Sequence, residues 1–164
     1  MRYLSFRTYV FAGIVGLATL AVLWAYFSSL GRSSEQAFVT ELRPDDVAFV
    51  AMGQAIYSEN CAACHGSNLE GQANWRQRNP NGRLPAPPHN ETGHTWHHPD
   101  AALFQLTKYG PAALVGGGYV SDMPGYEGVL TDEEILAVLS YIKSRWPDAV
   151  RDQHDGVNAR GGHR

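Results

Sequence analysis

Asn60–Gly66 reads NCAACHG and holds the only two cysteines of the 164-residue chain, Cys61 and Cys64, with His65 directly after. Two thiols and an imidazole at this spacing admit four readings: a dithiol redox pair, part of a metal clip, a structural disulfide, or a covalent cofactor attachment. The flanking sequence separates them.

Upstream, DDVAFVAMGQAIYSE (45–59) reads as a helix running into the motif. Asp45 or Asp46 can cap it. Val47, Val50, Ala51, Gln54 and Tyr57 fall at helical offsets. Downstream, residues 67–98 change to Asn, Arg, Gly, Pro and His, and Pro80, Pro85, Pro87 and Pro88 prevent regular helix. HPDAALFQLTKYG (98–110) is predicted as a second helix, with Pro99 in its first turn and Gly110 as its C-terminal cap. A Gly- and Pro-rich loop is expected over 111–130. TDEEILAVLSYIKSRWP (131–147) is the third helix. Thr131 and Glu134 make a capping box, Ile135, Leu136, Leu139, Ile142 and Trp146 form one apolar stripe, and Pro147 ends it. The tail, 148–164, is charged and Gly-rich and is expected to be disordered.

The fold class is therefore all-α, three main helices with long loops. A core of this size is marginal by itself. More than thirty residues of Pro/Gly-rich loop belong in a compact domain only if they wrap something. A large, flat, apolar cofactor would supply the missing core.

Cys-x-x-Cys-His is the attachment pattern of c-type haem. Two thiols one helical turn apart can form thioethers to the two vinyl groups on one porphyrin edge, and the next residue then sets its imidazole under the iron. A thioredoxin-like pair would need a βαβ context. A zinc site would need a second ligand pair at a recognised spacing. A structural disulfide would leave His65 unexplained. One covalent haem c is the reading that uses every residue of the motif.

The sixth iron position narrows to Met123. Of three methionines, Met1 lies outside the domain and Met52 shares the helix that leads to Cys61. Met123, in VSDMPGY (120–126), lies 58 residues after His65, beside Pro124, in a loop. A loop histidine or an open position are the alternatives.

Formal net charge is −3, with no block of like charge and no Gly-rich phosphate fingerprint, which argues against a nucleic-acid partner. The charge is uneven. From Glu35 onward ten basic residues face sixteen acidic ones, a formal −6. A partner with a basic docking face would be attracted.

Tyr9–Leu30 carries no charge over 22 residues. As a helix it spans about 33 Å, close to the hydrocarbon thickness of a bilayer. Trp24 and Tyr26 sit toward its outer end, and Arg2 and Arg7 precede it, so the expected topology places the N-terminus in the cytoplasm and everything after Leu30 outside. A cleaved signal peptide is the alternative, but the apolar stretch is long and no A-x-A site follows. The expected organisation is a transmembrane signal-anchor (1–30), a tether (31–45), the haem domain (46–147) and the polar tail (148–164).

Residues 46–147 resemble a class I c-type cytochrome of the small bacterial monohaem kind. Gly53 and Tyr57 before CAACHG, and MPGYEGVLTDEEILAVLSYIKS (123–144), carry the resemblance. It implies a cytochrome c fold with covalent haem c and His65 and Met123 as axial ligands. It implies that the first and last helices cross at Gly53 and Tyr141, with Tyr57 and Leu139 beside them. The implied function is one-electron transfer without a small-molecule substrate, not enzymatic catalysis. With its anchor, the chain is similar to membrane-tethered members that carry electrons between respiratory partners, such as a quinol–cytochrome c oxidoreductase and a terminal oxidase. The alternative is a haem enzyme or gas sensor with a labile distal ligand.

PPHNETGHTWHHPD (87–100) is not absorbed by this reading. Pro88 or His89 can line the porphyrin, His94 or Trp96 can bond a propionate, and His98 can cap the next helix. Arg76, Arg78 and Arg83 can neutralise propionates. A sharper reading makes His89, His94, His97 and His98 a second metal site, with copper the best-suited ion.

Overall fold

Asp46 caps the first helix, α1 (Val47–Asn60), by accepting a hydrogen bond from the Phe49 N–H at 3.1 Å. The computed structural model describes residues 40–161. The predicted anchor (1–30) and residues 31–39 of the predicted tether lie outside the described residues. Among the described residues no helix is long and apolar enough to cross a membrane.

After α1 come α2 (Ala62–His65), a 3₁₀ turn (Thr95–His97), α3 (Asp100–Tyr109), α4 (Pro111–Val115), α5 (Asp132–Ser144) and α6 (Asp148–Gly161). No β-strand occurs among the described residues, so the all-α expectation holds there. The capping box of α5 is made as the sequence predicts: Thr131 Oγ1 accepts from Glu134 N–H, and the Glu134 carboxylate accepts from Thr131 N–H. Gly110 ends α3, its N–H bonded to the Leu106 carbonyl.

The α1–α5 crossing is the main helix contact. At Gly53 a side chain would overlap the Ala137 carbonyl oxygen, and Tyr141 Cβ lies immediately beyond. Only glycine lets the two backbones approach this far. Tyr57 and Tyr141 pack beside the crossing with ring centroids 5.4 Å apart. The buried face of α1 is Phe49, Gly53, Ile56 and Tyr57. The expected stripe was rotated from this: Val47 is 83% exposed, and Ala51 and Gln54 are exposed too. The close approach at Gly53 decides which face turns inward. Helix α5 is buried continuously from Ile135 to Lys143, with α1 and α3 packed against it.

The disordered tail is corrected. Pro147 ends α5 but starts another helix: its carbonyl accepts from the Val150 and Arg151 N–H groups, at 2.9 and 3.0 Å. A proline's fixed φ suits a helix start as well as a stop. Helix α6 docks through His154, which is fully buried. His154 Nε2–H donates to the His98 carbonyl (3.0 Å) and lies 3.3 Å from Asp100 Oδ1. Asn158 brackets Asp100, accepting from its N–H (2.8 Å) and donating to its carboxylate (3.0 Å). Lys143 pairs with Asp155 at 2.5 Å. Part of the stretch expected as tether, 31–45, also belongs to the folded body. Leu42 is buried with its N–H on Asp100 Oδ2 (3.0 Å), and the Arg43 N–H reaches Ser140 Oγ (2.9 Å).

Two predictions follow from this packing. Gly53→Ala gains about 1 kcal/mol of helix propensity but overpacks the crossing, a loss of about 1–3 kcal/mol or more; the guanidinium midpoint of the haem-loaded protein should fall. Burial lowers the His154 pKa below the ordinary value more than the Asp100 charge raises it. The unfolded chain therefore takes up this proton first as pH drops below about 6.5. Stability falls from there until the folded state is also protonated. The acid limb of a stability–pH curve should be shallower in His154→Gln than in the parent.

Candidate functional site

Helix α1 delivers the cysteine motif. Its ladder continues through the Cys61 N–H to the Tyr57 carbonyl (2.9 Å), and the His65 N–H then bonds the Cys61 carbonyl at 2.9 Å, which sets one turn between the two thiols. Tyr57 Oη–H donates to the Gly66 carbonyl (2.9 Å), fastening the end of α2 back onto α1. Burial raises the Tyr57 pKa well above its usual value, so it remains a donor. The structure therefore brings Cys61, Cys64 and His65 together on one short helical stretch.

Both cysteines are free thiols. Burial, helped by the neighbouring Cys64, pushes the Cys61 pKa up to about 11. A thiol that is protonated at neutral pH suits thioether formation, in which S–H adds across a vinyl group. It lacks the depressed pKa of a thiolate redox pair.

His65 is buried, and its Nδ1 lies 2.8 Å from the Pro87 carbonyl oxygen. A carbonyl only accepts, so the proton sits on Nδ1 and the Nε2 lone pair is left for a metal. Bonding of the second ring nitrogen to a carbonyl is the usual way a ligating histidine is oriented. Burial lowers the His65 pKa and the Pro87 bond opposes this, so the ring is neutral and competent to ligate.

Pro87 is held by backbone pairing of two loops. Gln72 N–H bonds the Ala86 carbonyl (2.8 Å), and His89 N–H bonds the Leu69 carbonyl (2.8 Å). Gly71, at φ +68°, passes so close to the Pro87–Pro88 peptide that a side chain could not fit. Leu69 holds φ +66°, unusual for a branched side chain. That turn buries Leu69 and offers its carbonyl to both His89 and Asn90.

Met123 is half-buried in the loop before α5, its N–H bonded to Ser121 Oγ (3.1 Å). Its loop is fixed at both ends. The Tyr126 and Glu127 N–H groups bond the Thr107 and Lys108 carbonyls at 3.1 and 2.9 Å. Tyr126 Oη–H donates to the Asn60 carbonyl at 2.7 Å, one residue before Cys61. Asp122, next to Met123, pairs with Arg83. Leu114, Val115, Val120 and Val129 on the same stretch are exposed. They give it an apolar surface that suits a porphyrin face.

The His-rich loop is organised by ring stacking. His89 stacks on His65 (centroids 3.8 Å), His94 on Trp75 (5.2 Å) and His97 on Trp96 (3.7 Å). Among the described residues no cluster of three or more His, Cys, Asp or Glu could hold a metal, so the copper reading finds no gathered site. His98 does not cap α3 with its side chain; that cap is Pro99, and the His98 carbonyl instead receives His154. Trp96 Nε1–H points to the Glu91 carbonyl (3.3 Å). Arg76 lies over Trp75 and Arg78 bonds the Gly82 carbonyl. The sequence reading missed the Pro87 carbonyl and Tyr126, and it named His89 without its stacking on His65. The Pro87–Pro88 pair was a signal of rigid backbone, but no side-chain pattern points to a carbonyl.

These residues fit a covalently bound haem: paired thiols, an oriented imidazole with a free nitrogen, and an apolar methionine loop. The family model named Cytochrome c matches residues 50–146, more than half of the chain. The chain belongs to the cytochrome c family. It is a class I c-type cytochrome that carries haem c and transfers electrons. It is 28% identical over 113 residues to the Cbb3-type cytochrome c oxidase subunit CcoP of Azospirillum brasilense, a match covering 69% of this chain and 34% of that protein. The chain thus spans about a third of that relative's length. No solved structure matches.

Tyr126→Phe removes one hydrogen bond and leaves the Asn60 carbonyl to find water. A loss of about 1 kcal/mol is expected, read as a lower denaturant midpoint with an unchanged m value.

Proposed function

We propose that Cys61 and Cys64 hold the haem by thioethers, that His65 Nε2 and Met123 Sδ are its axial ligands, and that the protein is a membrane-tethered one-electron carrier. The observation that carries this reading is the His65 tautomer. With Nδ1–H committed to the Pro87 carbonyl, Nε2 is free on the residue that directly follows two thiols one helical turn apart. The bound group supplies an iron that cycles between its ferric and ferrous states. The chain's residues do the rest. With His65 and Met123 both held on the iron, no position would remain for substrate, and Met/His ligation would raise the reduction potential. The Tyr126 and Arg83–Asp122 contacts hold the methionine loop in one place, which keeps the geometry similar in both oxidation states.

The proposed setting is the bacterial inner membrane, with residues 1–30 as a single-pass anchor, 31–41 as tether and the domain on the periplasmic side. The uncharged Tyr9–Leu30 stretch and the preceding arginines support it. The proposed partners are membrane-bound redox proteins with a basic docking face, such as a quinol–cytochrome c oxidoreductase and a terminal oxidase. The formal −6 from Glu35 onward supports the charge sign, and the oxidase-subunit relative supports the class.

The test is a visible absorption spectrum of the full chain made with haem-attachment machinery. The oxidised protein should show the weak long-wavelength sulfur-to-iron band, and Met123→Ala should lose it. Attached haem without that band in the parent, together with carbon monoxide binding to the reduced form at neutral pH, would instead support an exchangeable distal site and a haem enzyme or gas sensor.

A further inference from the structure

His89 has a side chain that the proposed ligand set does not use. Its ring lies face to face with that of His65, centroids 3.8 Å apart and planes within 17°. Among the described residues its buried Nδ1 has no hydrogen-bond partner. Burying an unpaired polar atom costs about 1–3 kcal/mol, which an aliphatic side chain would avoid. No hydrogen bond to Nδ1 explains the ring's placement. What the imidazole provides is a flat face.

The His65 ring needs one. The Pro87 carbonyl holds Nδ1 at a single point, and one hydrogen bond fixes a direction but not the rotation of a plane about it. A flat neighbour in contact over the whole ring fixes that rotation. His89 is itself rigid. Its N–H bonds the Leu69 carbonyl (2.8 Å), and its carbonyl accepts from Trp146 Nε1–H (2.7 Å). The Tyr57 ring meets it edge-on at 6.1 Å. Trp146 is in turn backed by His154, rings 5.0 Å apart.

We propose that His89 is a positioning residue for the axial histidine. Its stacked ring sets the rotation of the His65 imidazole about the bond to iron and keeps water from the His65–Pro87 hydrogen bond. This rests on the reading of His65 as axial ligand. The orientation of an axial imidazole governs how unpaired spin spreads over the porphyrin of a ferric haem, so the paramagnetic shifts of the four ring methyl groups report it directly.

The test uses the full haem-loaded chain in its ferric form and reads two quantities by proton NMR: the haem methyl shifts and the solvent exchange of the His65 Nδ1 proton. In His89→Leu the methyl shifts should change order or spread, and the proton should exchange at least about tenfold faster. His89→Phe, which restores a flat ring, should return both most of the way to the parent. Trp146→Phe frees the His89 carbonyl without touching the ring and should shift the methyl pattern in the same direction by less; it serves where His89→Leu fails to fold. Parent-like shifts and exchange in His89→Leu, equal disturbance in Leu and Phe, or no shift in Trp146→Phe when His89→Leu does not fold would each overturn the proposal. A parent lacking the signals of a low-spin, histidine-ligated haem would instead remove the axial-ligand reading before any variant is made.

Discussion

The approach of two backbones at Gly53 and Ala137 is the constraint on which the remaining structure depends. It fixes the rotation of α1 about its own axis. That rotation sends Phe49, Ile56 and Tyr57 into the core and sets the direction in which the helix delivers Cys61, Cys64 and His65. Because the motif continues the ladder of α1 without a break, its orientation follows from the crossing. A helix turned by one residue would aim the imidazole elsewhere, however well the motif itself were made.

The loops then face a different problem. They have little apolar surface with which to bury themselves, so backbone polar groups hold them. Residues 69–72 pair with 86–90, and the methionine loop pairs with the end of α3. These bonds place one carbonyl, that of Pro87, within 2.8 Å of an imidazole nitrogen. Hydrogen bonds suit this task better than packing because they are directional. The bent backbone at Leu69 shows that local conformational preference yields where the carbonyl it offers has two recipients.

Sequence patterns revealed what depends on periodicity and caps. The Thr131–Glu134 box, the Asp46 cap, the Gly110 terminator and the stripe of α5 are local chemistry and appear where expected. The attachment motif was legible for the same reason. What could not be read were contacts between distant segments. The rotation of α1 is decided by Ala137, 84 positions away. The His89 ring finds His65 only after two loops have closed. The tail looked disordered because Gly156 and Gly161 and many charges outweigh its few apolar residues. Its signal was a stripe of Val150, His154, Val157 and Asn158, which reads as a buried face only once His154 is known to have Asp100 to meet.

Asp100 explains why that helix belongs to the domain rather than hanging from it. Its carboxylate takes the Leu42 N–H, Asn158 Nδ2–H and the close approach of His154 Nε2, all at the first turn of α3, where a negative charge also meets the positive end of the helix dipole. The first and last described segments are thereby fastened to the same side chain. A continuous seam runs from Leu42 through Asp100, His154 and Trp146 to the His89 carbonyl, and so to the loop that holds His65. Two consequences follow. The folded body begins no later than Leu42, because Leu42 and Arg43 are bonded to Asp100 and Ser140. Moreover α6, which falls outside the family match, reaches the loop that carries Pro87 and His89 through the contact of His154 with Trp146.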